Sequence, residues 1–311
     1  MNRLSETTFD NGTWAGAAPR LSVLIPFLCE DPSRLLAALD REALGDAVEI
    51  VVLDDGSGDD ALAAEVERTV AGLCLPARFV RLAANIGRAR GRNRLASHAR
   101  GDWFLFLDSD MLPDRTDFLA AYLALIDAEA PAVAFGGFSL DQTPHSRAHA
   151  LHRRMALRSD CAPVAVRQAE PEKHVFTSNL LVRRRVFETE AFDEGFSGWG
   201  WEDVEWAMRV ARQHKIWHID NTATHLGLDP AATMAAKYEQ SAANFARVVA
   251  RHRQIVERYP SYRAARLLKR LPLRTAWRPV LKTIALAEAA PLAARAFAMR
   301  LYRAALYAEA V

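Results

Sequence analysis

Two carboxylates at alternate positions, Asp108 and Asp110, follow the apolar run WFLFL within the segment DWFLFLDSDMLP (102–113). Both side chains of such an Asp-Ser-Asp sequence can reach one divalent ion, directly or through water. Mg²⁺ and Mn²⁺ favour carboxylate oxygens and usually also bind a substrate diphosphate. Because the same pattern occurs in solvated turns with an Asx bend, a metal site and a turn are both open.

A second acidic sequence, Asp54-Asp55-Gly56-Ser57, follows another apolar run, IVVL. Gly56 permits a tight turn at a strand end, and a carboxylate placed there can accept hydrogen bonds from a nucleotide base or ribose. The alternative is a helix N-cap, which Ser57 and Asp59 both suit.

Arginines are concentrated in the segment NIGRARGRNRLASHARG (85–101), at Arg88, Arg90, Arg92, Arg94 and Arg100. Arg88 and Arg92 share one face of a predicted helix, and guanidinium groups at a helix start suit phosphate. For most of these arginines the alternative is a solvated basic face.

The stretch FSGWGWEDVEWAMRV (196–210) places tryptophans beside acids: Trp199, Trp201, Trp206, Glu202, Asp203 and Glu205. Burying an unpaired charge is costly. Either the acids are solvated and the tryptophans cover the edge of a core, or the stretch forms a pocket in which a carboxylate does chemistry.

Two histidines, His218 and His225, occur in the segment KIWHIDNTATHLG. An isolated histidine is more often structural than a ligand. His225, however, precedes Gly227 at the end of a predicted strand, where a ligand-binding edge is expected.

The elements that would position these side chains alternate between strand and helix. Apolar runs predict strands at 21–27, 49–60, 77–83 and 102–113, with helices at 31–44, 61–73 and 85–101 between them. Further along, we predict a helix at 116–128, strands at 132–138, 174–184 and 215–226, and helices at 204–214 and 230–259.

This alternation predicts an α/β fold, a Rossmann-like and mostly parallel central sheet flanked by helices. Ligands of such sheets bind beyond the carboxyl ends of the strands. Both acidic sequences, at Asp54-Asp55 and at Asp108–Asp110, lie at such ends, so the sequence predicts a ligand site there.

Charge is distributed unevenly along the chain of 311 residues. Ten Lys/Arg and two Glu give residues 261–311 a charge of +8, which leaves −6 of the total +2 for the first 260 residues. An acidic body disfavours a nucleic-acid partner. Three cysteines that are far apart, without a CxxC spacing, predict neither a disulfide framework nor a cysteine zinc site.

The basic region 261–311 alternates Arg/Lys with large apolar residues, and Pro272, Pro279 and Pro291 divide its predicted helices. A basic amphipathic helix can lie on an anionic membrane surface. The alternative is a helical subdomain that packs on the core or on a partner subunit. No apolar run approaches the ~20 residues that cross a bilayer. We expect a cytoplasmic protein, peripheral on the inner face of the cell membrane if the basic region binds there.

In their order, SVLIPF, VVLDDGSGD, NIGRARGRN, FLFLDSDMLPD and SNLLVRRRVFETEAFDEGFSGWGWEDVEWAMR resemble family 2 glycosyltransferases of the GT-A fold. The GWGWEDVE stretch resembles the C-terminal motif of galactosyltransferase-like members. The resemblance spans roughly residues 20–228 and implies a nucleotide-sugar half, about 20–113, and an acceptor half, about 114–228. A flexible arm, 1–19, and a helical, basic amphipathic region, 229–311, would complete the chain.

The resemblance implies a role for each matching residue. The backbone around Pro26 and the Asp55 carboxylate would hold the base, Arg88 would contact the nucleotide, and Asp108 would contact the ribose or the metal. Asp110 would bind Mn²⁺ or Mg²⁺, with His225 as a later metal or diphosphate contact. Asp203 would be the catalytic base. The acceptor would contact Trp199, Trp201 and Glu202.

The implied function is an inverting, metal-dependent transfer of one sugar from a nucleoside-diphosphate sugar, for which we favour UDP, to a glycan or lipid-linked glycan acceptor in surface polysaccharide biosynthesis. The chain lacks the QxxRW motif of processive synthases, and Trp201 stands where galactosyltransferases often have glycine. Alternatives are a nucleotidyltransferase and a non-catalytic nucleotide-sugar-binding scaffold at the membrane.

Overall fold

A computed structural model describes residues 5–270 and 274–311, although side chains 274 and 275 are not described. Residues 1–4 of the predicted arm, and Pro272 of the basic region, lie outside this part. The described chain divides into two compact units. We call residues 5–143, 161–194 and 206–227 the sheet unit, and residues 144–160, 195–205 and 228–311 the helical unit.

The strands of the sheet unit occupy the following positions: β1 Glu6–Asp10, β2 Leu21–Phe27, β3 Val48–Asp54, β4 Ala77–Leu82, β5 Trp103–Leu107, β6 Met111–Pro113, β7 Val133–Phe135, β8 Phe138–Ser139, β9 Asn179–Arg183, β10 Ile216–His218 and β11 Ala223–His225. In the described residues, eight of them form one sheet in the order β1-β4-β3-β2-β5-β9-β7-β10. The other three form a small sheet in the order β6-β11-β8.

Parallel pairing joins β5, β2, β3 and β4 in the centre of the large sheet. These strands read as nearly continuous apolar runs because helices cover both faces. Alternate β2 residues pack to opposite sides: Val23 and Ile25 join one core cluster, and Leu24 joins the other.

Helices of the sheet unit are α1 Ser33–Asp40, α2 Asp60–Ala71, α3 Arg88–His98, α4 Phe118–Glu129, α6 Val164–Ala169 and α7 Arg184–Thr189. Helices α1, α2 and α4 contribute to one apolar cluster and α3 and α7 to the other. The predicted strand–helix alternation is therefore confirmed as far as α4.

The helical unit contains α5 Ala150–Ala156, α9 Ala231–Val256, α10 Pro260–Lys269, α11 Arg274–Leu286 and α12 Leu292–Tyr307. Helix α12 packs on α5, α9, α10 and α11. Helix α8, Glu202–Val210, begins in the helical unit and ends in the sheet unit. Within 5–270 and 274–311, no helix combines the length and apolar character needed to cross a bilayer.

Several sequence predictions need correction. Glu6–Asp10 of the predicted flexible arm is a strand, antiparallel to β4. The single strand predicted at 215–226 is two strands, β10 and β11, in different sheets. Pro279 lies inside α11 instead of dividing helices, whereas Pro291 is the N-cap of α12. The predicted change of domain after 228 lies beside the observed one, but 144–160 and 195–205 also cluster with the C-terminal helices.

Candidate active site

Asp108 lies just after β5, between two arginines of α3. The buried Arg92 donates from a terminal guanidinium nitrogen to one carboxylate oxygen of Asp108 at 2.6 Å. Arg88 lies 3.7 Å from the other oxygen, and its side chain is 43% exposed. One turn of helix separates these arginines, so both reach the same carboxylate from one face of α3. Asp108 is thus held by cations before any ligand is considered.

Asp110 faces His225. The antiparallel pairing of β6 with β11 sets His225 opposite Met111, next to Asp110, and Nε2 of His225 is 3.0 Å from Oδ2 of Asp110. Burial works to raise the pKa of Asp110, but the hydrogen bond and positive charge of His225 outweigh burial and hold that pKa below its ordinary value. The Asp110 carboxylate is therefore ionised at neutral pH.

Gly227 completes this corner of the site. The amide of Leu226 donates to the backbone oxygen of Asp110 at 2.9 Å, which draws the chain after β11 against Asp110. A Cβ atom at position 227 would lie 2.0 Å from Oδ2 of Asp110. The Asp110 carboxylate can pack this closely against residue 227 only because that residue is glycine.

The structure does not gather the three predicted metal ligands into one cluster. Asp108 faces the two arginines, whereas Asp110 faces His225. Across the described ranges, no three side chains of His, Cys, Asp or Glu are grouped as a metal site would require. What the geometry offers a divalent ion is one ionised carboxylate beside one imidazole.

Asp55 is buried at the end of β3 and is bound by the loop before α3. Its carboxylate accepts hydrogen bonds from the amide of Ile86 at 2.9 Å and from the Gly87 amide and the Asn85 side chain at 3.2 Å each. Burial raises the pKa of Asp55 despite these backbone donors, and the charge of Asp54 adds to the rise. The sequence predicted that this helix begins at Asn85. Because the preceding loop binds Asp55, α3 begins instead at Arg88.

The alternative N-cap function in this region belongs to Asp59. Its carboxylate accepts from the amides of Ala61 and Leu62 at the start of α2. Pro26 lies near the end of β2, beyond the part that pairs with β5, so its lack of an N–H removes no hydrogen bond there. None of these contacts identifies a binding site for the nucleotide base. The contacts of Pro26 and Asp55 with that base therefore stay predictions.

The remaining predicted site residues belong to the helical unit or to the start of α8. Of the three acids there, Glu202 and Glu205 are buried. Glu205 lies 3.0 Å from His252 and 3.6 Å from Arg251. Asp203 is half-exposed, and its carboxylate accepts from the amide of Val204. Asp203 is therefore the most accessible of these carboxylates.

Trp201 is part of an aromatic cluster of the helical unit. Its ring lies 4.9 Å from that of Phe245, and its indole N–H donates to the Tyr307 hydroxyl at 2.9 Å. Phe245 and Tyr307 are themselves stacked at 4.2 Å. Trp201 has a φ of 78°, a backbone conformation that favours glycine. These contacts are those of a packing residue.

Trp199, in contrast, borders a cavity of about 370 Å³ in the helical unit. Its ring meets that of Tyr238 edge-to-face at 6.0 Å. Lys237 and Asp229 both line this cavity and form an ion pair at 2.6 Å, and Arg300 also lines it. A cavity of this size with an aromatic wall and polar groups is typical of small-molecule sites, which measure roughly 300–1,000 Å³.

Sequence reasoning did not predict the contacts of two residues of the sheet unit. From its spacing of four, Arg92 was placed on one helix face with Arg88, with phosphate binding and a solvated face both open. Its side chain is instead 2% exposed and bound to Asp108. Gly227 was used only as a marker of a strand end, and nothing in the sequence shows how closely it approaches Asp110.

Comparisons with known proteins agree with this description. The family model described as glycosyl transferase family 2 matches residues 22–190, which include β2–β5 and Asp108–Asp110 but end before the tryptophan-rich stretch. The uncharacterized glycosyltransferase YfnE of Bacillus subtilis is 34% identical over 122 residues, which are 38% of this chain and 30% of that protein. An N-acetylglucosaminyltransferase of Sinorhizobium fredii is 32% identical over 35% of this chain and 27% of that protein. The chain thus spans under a third of the length of these relatives.

Solved structures resemble the chain over most of its length. The mannosyltransferase PcManGT of Pyrobaculum calidifontis, in complex with GDP-Man and Mn²⁺, matches with a TM-score of 0.59 and 18% identity over 98% of this chain and 89% of that one. S. aureus TarS 1–349, in complex with UDP-GlcNAc, matches with a TM-score of 0.51 and 17% identity over 91% of this chain and 89% of that one. These likenesses confirm the predicted fold class.

Proposed function

Because this chain belongs to glycosyltransferase family 2, we propose that it is an inverting, metal-dependent glycosyltransferase. It transfers one sugar from a nucleoside-diphosphate sugar, with UDP favoured as the nucleotide, to a glycan or lipid-linked glycan acceptor in surface polysaccharide biosynthesis. The GWGWEDVE stretch supports a galactosyltransferase-like member. The nucleotide sugars bound to PcManGT and to TarS support the donor class.

The observation that carries the proposal is the contact between Asp110, after β5, and His225. Asp110 and His225 offer an ionised oxygen and a ring nitrogen 3.0 Å apart, in a packing that requires glycine at residue 227. Mg²⁺ and Mn²⁺ are often held by one or two protein ligands, with substrate phosphates and water completing the coordination. Asp110 and His225 therefore fit as the protein ligands. When bound, the ion would stabilise the negative charge of the departing nucleoside diphosphate.

The arginines supply the other half of the donor site. Arg92 is buried and holds Asp108, so it acts as a positioning residue for that carboxylate. Arg88 is half-exposed and lies farther from Asp108, so its guanidinium can also turn to a phosphate oxygen, for which its planar fork is suited. Asp108 would then contact the ribose, and Asp55 and the backbone around Pro26 would hold the nucleotide base.

Asp203 is proposed as the catalytic base. In an inverting transfer, one carboxylate removes the proton of the acceptor hydroxyl while that oxygen attacks the anomeric carbon. Asp203 is half-exposed at the start of α8, whereas Glu205 is buried beside His252 and Arg251. Glu202 would hold an acceptor hydroxyl.

The acceptor sugar would stack on Trp199. An indole offers an apolar face to a sugar ring and an N–H to its hydroxyls. Because the Trp201 ring packs on Phe245 and its indole N–H donates to Tyr307, we propose that Trp201 supports the acceptor site through packing.

For the basic region 261–311 we propose peripheral binding to the anionic inner face of the cell membrane. Trp277, Val280 and Ile284 of α11 are spaced by three and four residues and are 55%, 46% and 39% exposed. This spacing puts them on one face of the helix. A membrane position would bring the chain to a lipid-linked acceptor.

The test is a panel of UDP-, GDP- and dTDP-sugars, assayed for binding and for hydrolysis or transfer by the wild type and two variants. Asp203→Asn should bind the donor with an affinity within about twofold of the wild type and lose about 10²–10⁴-fold in transfer, the usual contribution of general base catalysis. Glu257→Gln, which removes an exposed acid of the helical unit, is the matched control and should transfer normally.

Full transfer by Asp203→Asn would refute the base assignment. Binding of a nucleotide sugar without turnover by the wild type would favour the scaffold. Formation of a nucleotide sugar from a nucleoside triphosphate and a sugar phosphate would favour a nucleotidyltransferase.

A further inference from the structure

A second cavity of the helical unit, of about 580 Å³, is lined chiefly by arginines of α5 and its flanks. They are Arg147, Arg153, Arg154 and Arg158, accompanied by His145 and the apolar Leu157 and Leu292. The proposed function so far uses none of them.

The lining of this cavity contains four guanidinium groups and no carboxylate. Arg153 and Arg154 belong to α5, and Arg158 follows shortly after the end of that helix. In the part of the chain that the structure describes, no carboxylate forms an ion pair with Arg147, Arg154 or Arg158. A concave site lined by these guanidinium groups and by no carboxylate is suited to an anion.

Guanidinium groups identify the kind of anion. Their planar donor forks match phosphate oxygens, and several of them together can bind a doubly charged group. The cavity is also open, since Arg147 and Arg158 are exposed. Leu157, 55% exposed, adds an apolar surface at the same place.

The two cavities of the helical unit are neighbours because Arg158 lines both. An acceptor whose sugar lies beside Trp199 could therefore place a neighbouring substituent of that sugar in the arginine-lined cavity. We propose that the arginine cavity binds the phosphate or diphosphate of a phosphate-bearing saccharide acceptor; this inference rests on the proposed glycosyl transfer and on Trp199 as the sugar contact.

The test uses inorganic pyrophosphate as the probe, titrated calorimetrically without divalent metal into the full chain. Arg147→Gln/Arg154→Gln should either lose one of two binding events or bind at least tenfold more weakly than the wild type. The matched control is Arg34→Gln/Arg41→Gln, which removes two exposed arginines of α1 and its end, and which should bind as the wild type does. Equal pyrophosphate binding by all three proteins would overturn the proposal.

A thermal melt of each protein accompanies the titration. Should the double variant unfold early, Arg147→Gln, at an exposed position, gives the same test with an expected loss of about threefold, and no loss there would overturn the proposal.

A second arm separates acceptor phosphates from lipid headgroups. Sedimentation with phosphatidylcholine vesicles containing phosphatidylglycerol should be similar for the wild type and Arg147→Gln/Arg154→Gln. Loss of vesicle binding with unchanged pyrophosphate binding would mean that the arginines meet a membrane, which contradicts the proposal. Failure of the proposed glycosyl transfer would appear separately, as absence of nucleotide-sugar turnover by the wild type.

Discussion

At the scale of single residues, the site after β5 depends on which partner each carboxylate has. Asp108 is bound to Arg92 at 2.6 Å, and Asp110 to His225 at 3.0 Å. Although only one residue separates them, the two acids face partners of different kinds, arginines for Asp108 and a histidine for Asp110. This difference supports separate functions, with Asp108 held beside the arginines and Asp110 left for an ion.

Gly227 provides a test at this scale that changes no proposed ligand. In Gly227→Ala, the new Cβ would meet Oδ2 of Asp110 at 2.0 Å, and the flexible carboxylate would have to rotate away. We expect the Mn²⁺-dependent gain in UDP affinity to fall at least tenfold, with a small change in melting temperature. Titrations of UDP with and without Mn²⁺ measure this gain.

Gly12→Ala is the control for that variant, since a Cβ at position 12 meets nothing within 4 Å. It should keep the full effect of Mn²⁺. If Gly227→Ala also kept it, Asp110 would not be a metal ligand.

At the scale of elements, the start of α8 combines strain and packing. Trp201 precedes the helix with a φ of 78°, which costs a non-glycine residue about 1–2 kcal/mol. Its contacts with Phe245 and Tyr307 offset this cost. The element thus explains how a tryptophan can adopt a backbone conformation that favours glycine.

Replacing Trp201 measures which of these terms is larger. Removing a buried aromatic ring costs about 3–5 kcal/mol, and less at a half-buried position, so Trp201→Gly should lower the free energy of unfolding by about 1–2 kcal/mol after relief of the strain. Trp201→Phe keeps a ring but loses the hydrogen bond to Tyr307. Its free energy of unfolding should fall between those of the wild type and Trp201→Gly. Thermal and urea unfolding provide the measurement.

The outcome also decides the role of Trp201. A Trp201→Gly protein that is as stable as the wild type, yet transfers more slowly, would show that the ring serves the acceptor and not the packing.

At the scale of the whole molecule, the uneven charge of the sequence coincides with the division into units. The +8 of residues 261–311 belongs entirely to the helical unit, which also presents the exposed apolar face of α11. Positive charge with dipping apolar side chains is the combination that binds anionic bilayers.

Vesicle sedimentation tests this surface. Trp277→Glu/Val280→Glu should reduce binding to vesicles containing phosphatidylglycerol at least fivefold, because it inserts two negative charges into the apolar face. Leu28→Glu/Val166→Glu makes the same change at two exposed apolar residues of the sheet unit and should bind as the wild type does. Equal loss in both variants would point to net charge alone, and no loss in either would contradict membrane binding through α11.

Features that depend on neighbouring residues could be predicted from the sequence, whereas contacts between distant segments could not. The strands β2 to β5, the intervening helices and the position of the acids at strand ends follow from local periodicity and turn residues, which the sequence displays directly. These local signals determined the fold class and located Asp108 and Asp110 at the end of β5. They also offered Ser57 and Asp59 as alternative capping residues, of which Asp59 caps α2.

The tertiary structure alone decided the partners. That β11 pairs with β6, and so brings His225 and Gly227 to Asp110, depends on strands far apart in the sequence, and register between such strands leaves no local signal. The same holds for Arg92, whose burial depends on packing of α3, and for Trp201, whose ring is held by Phe245 and Tyr307. Neighbouring residues determine the local elements and their end residues, whereas contacts between distant segments form only once the chain has folded.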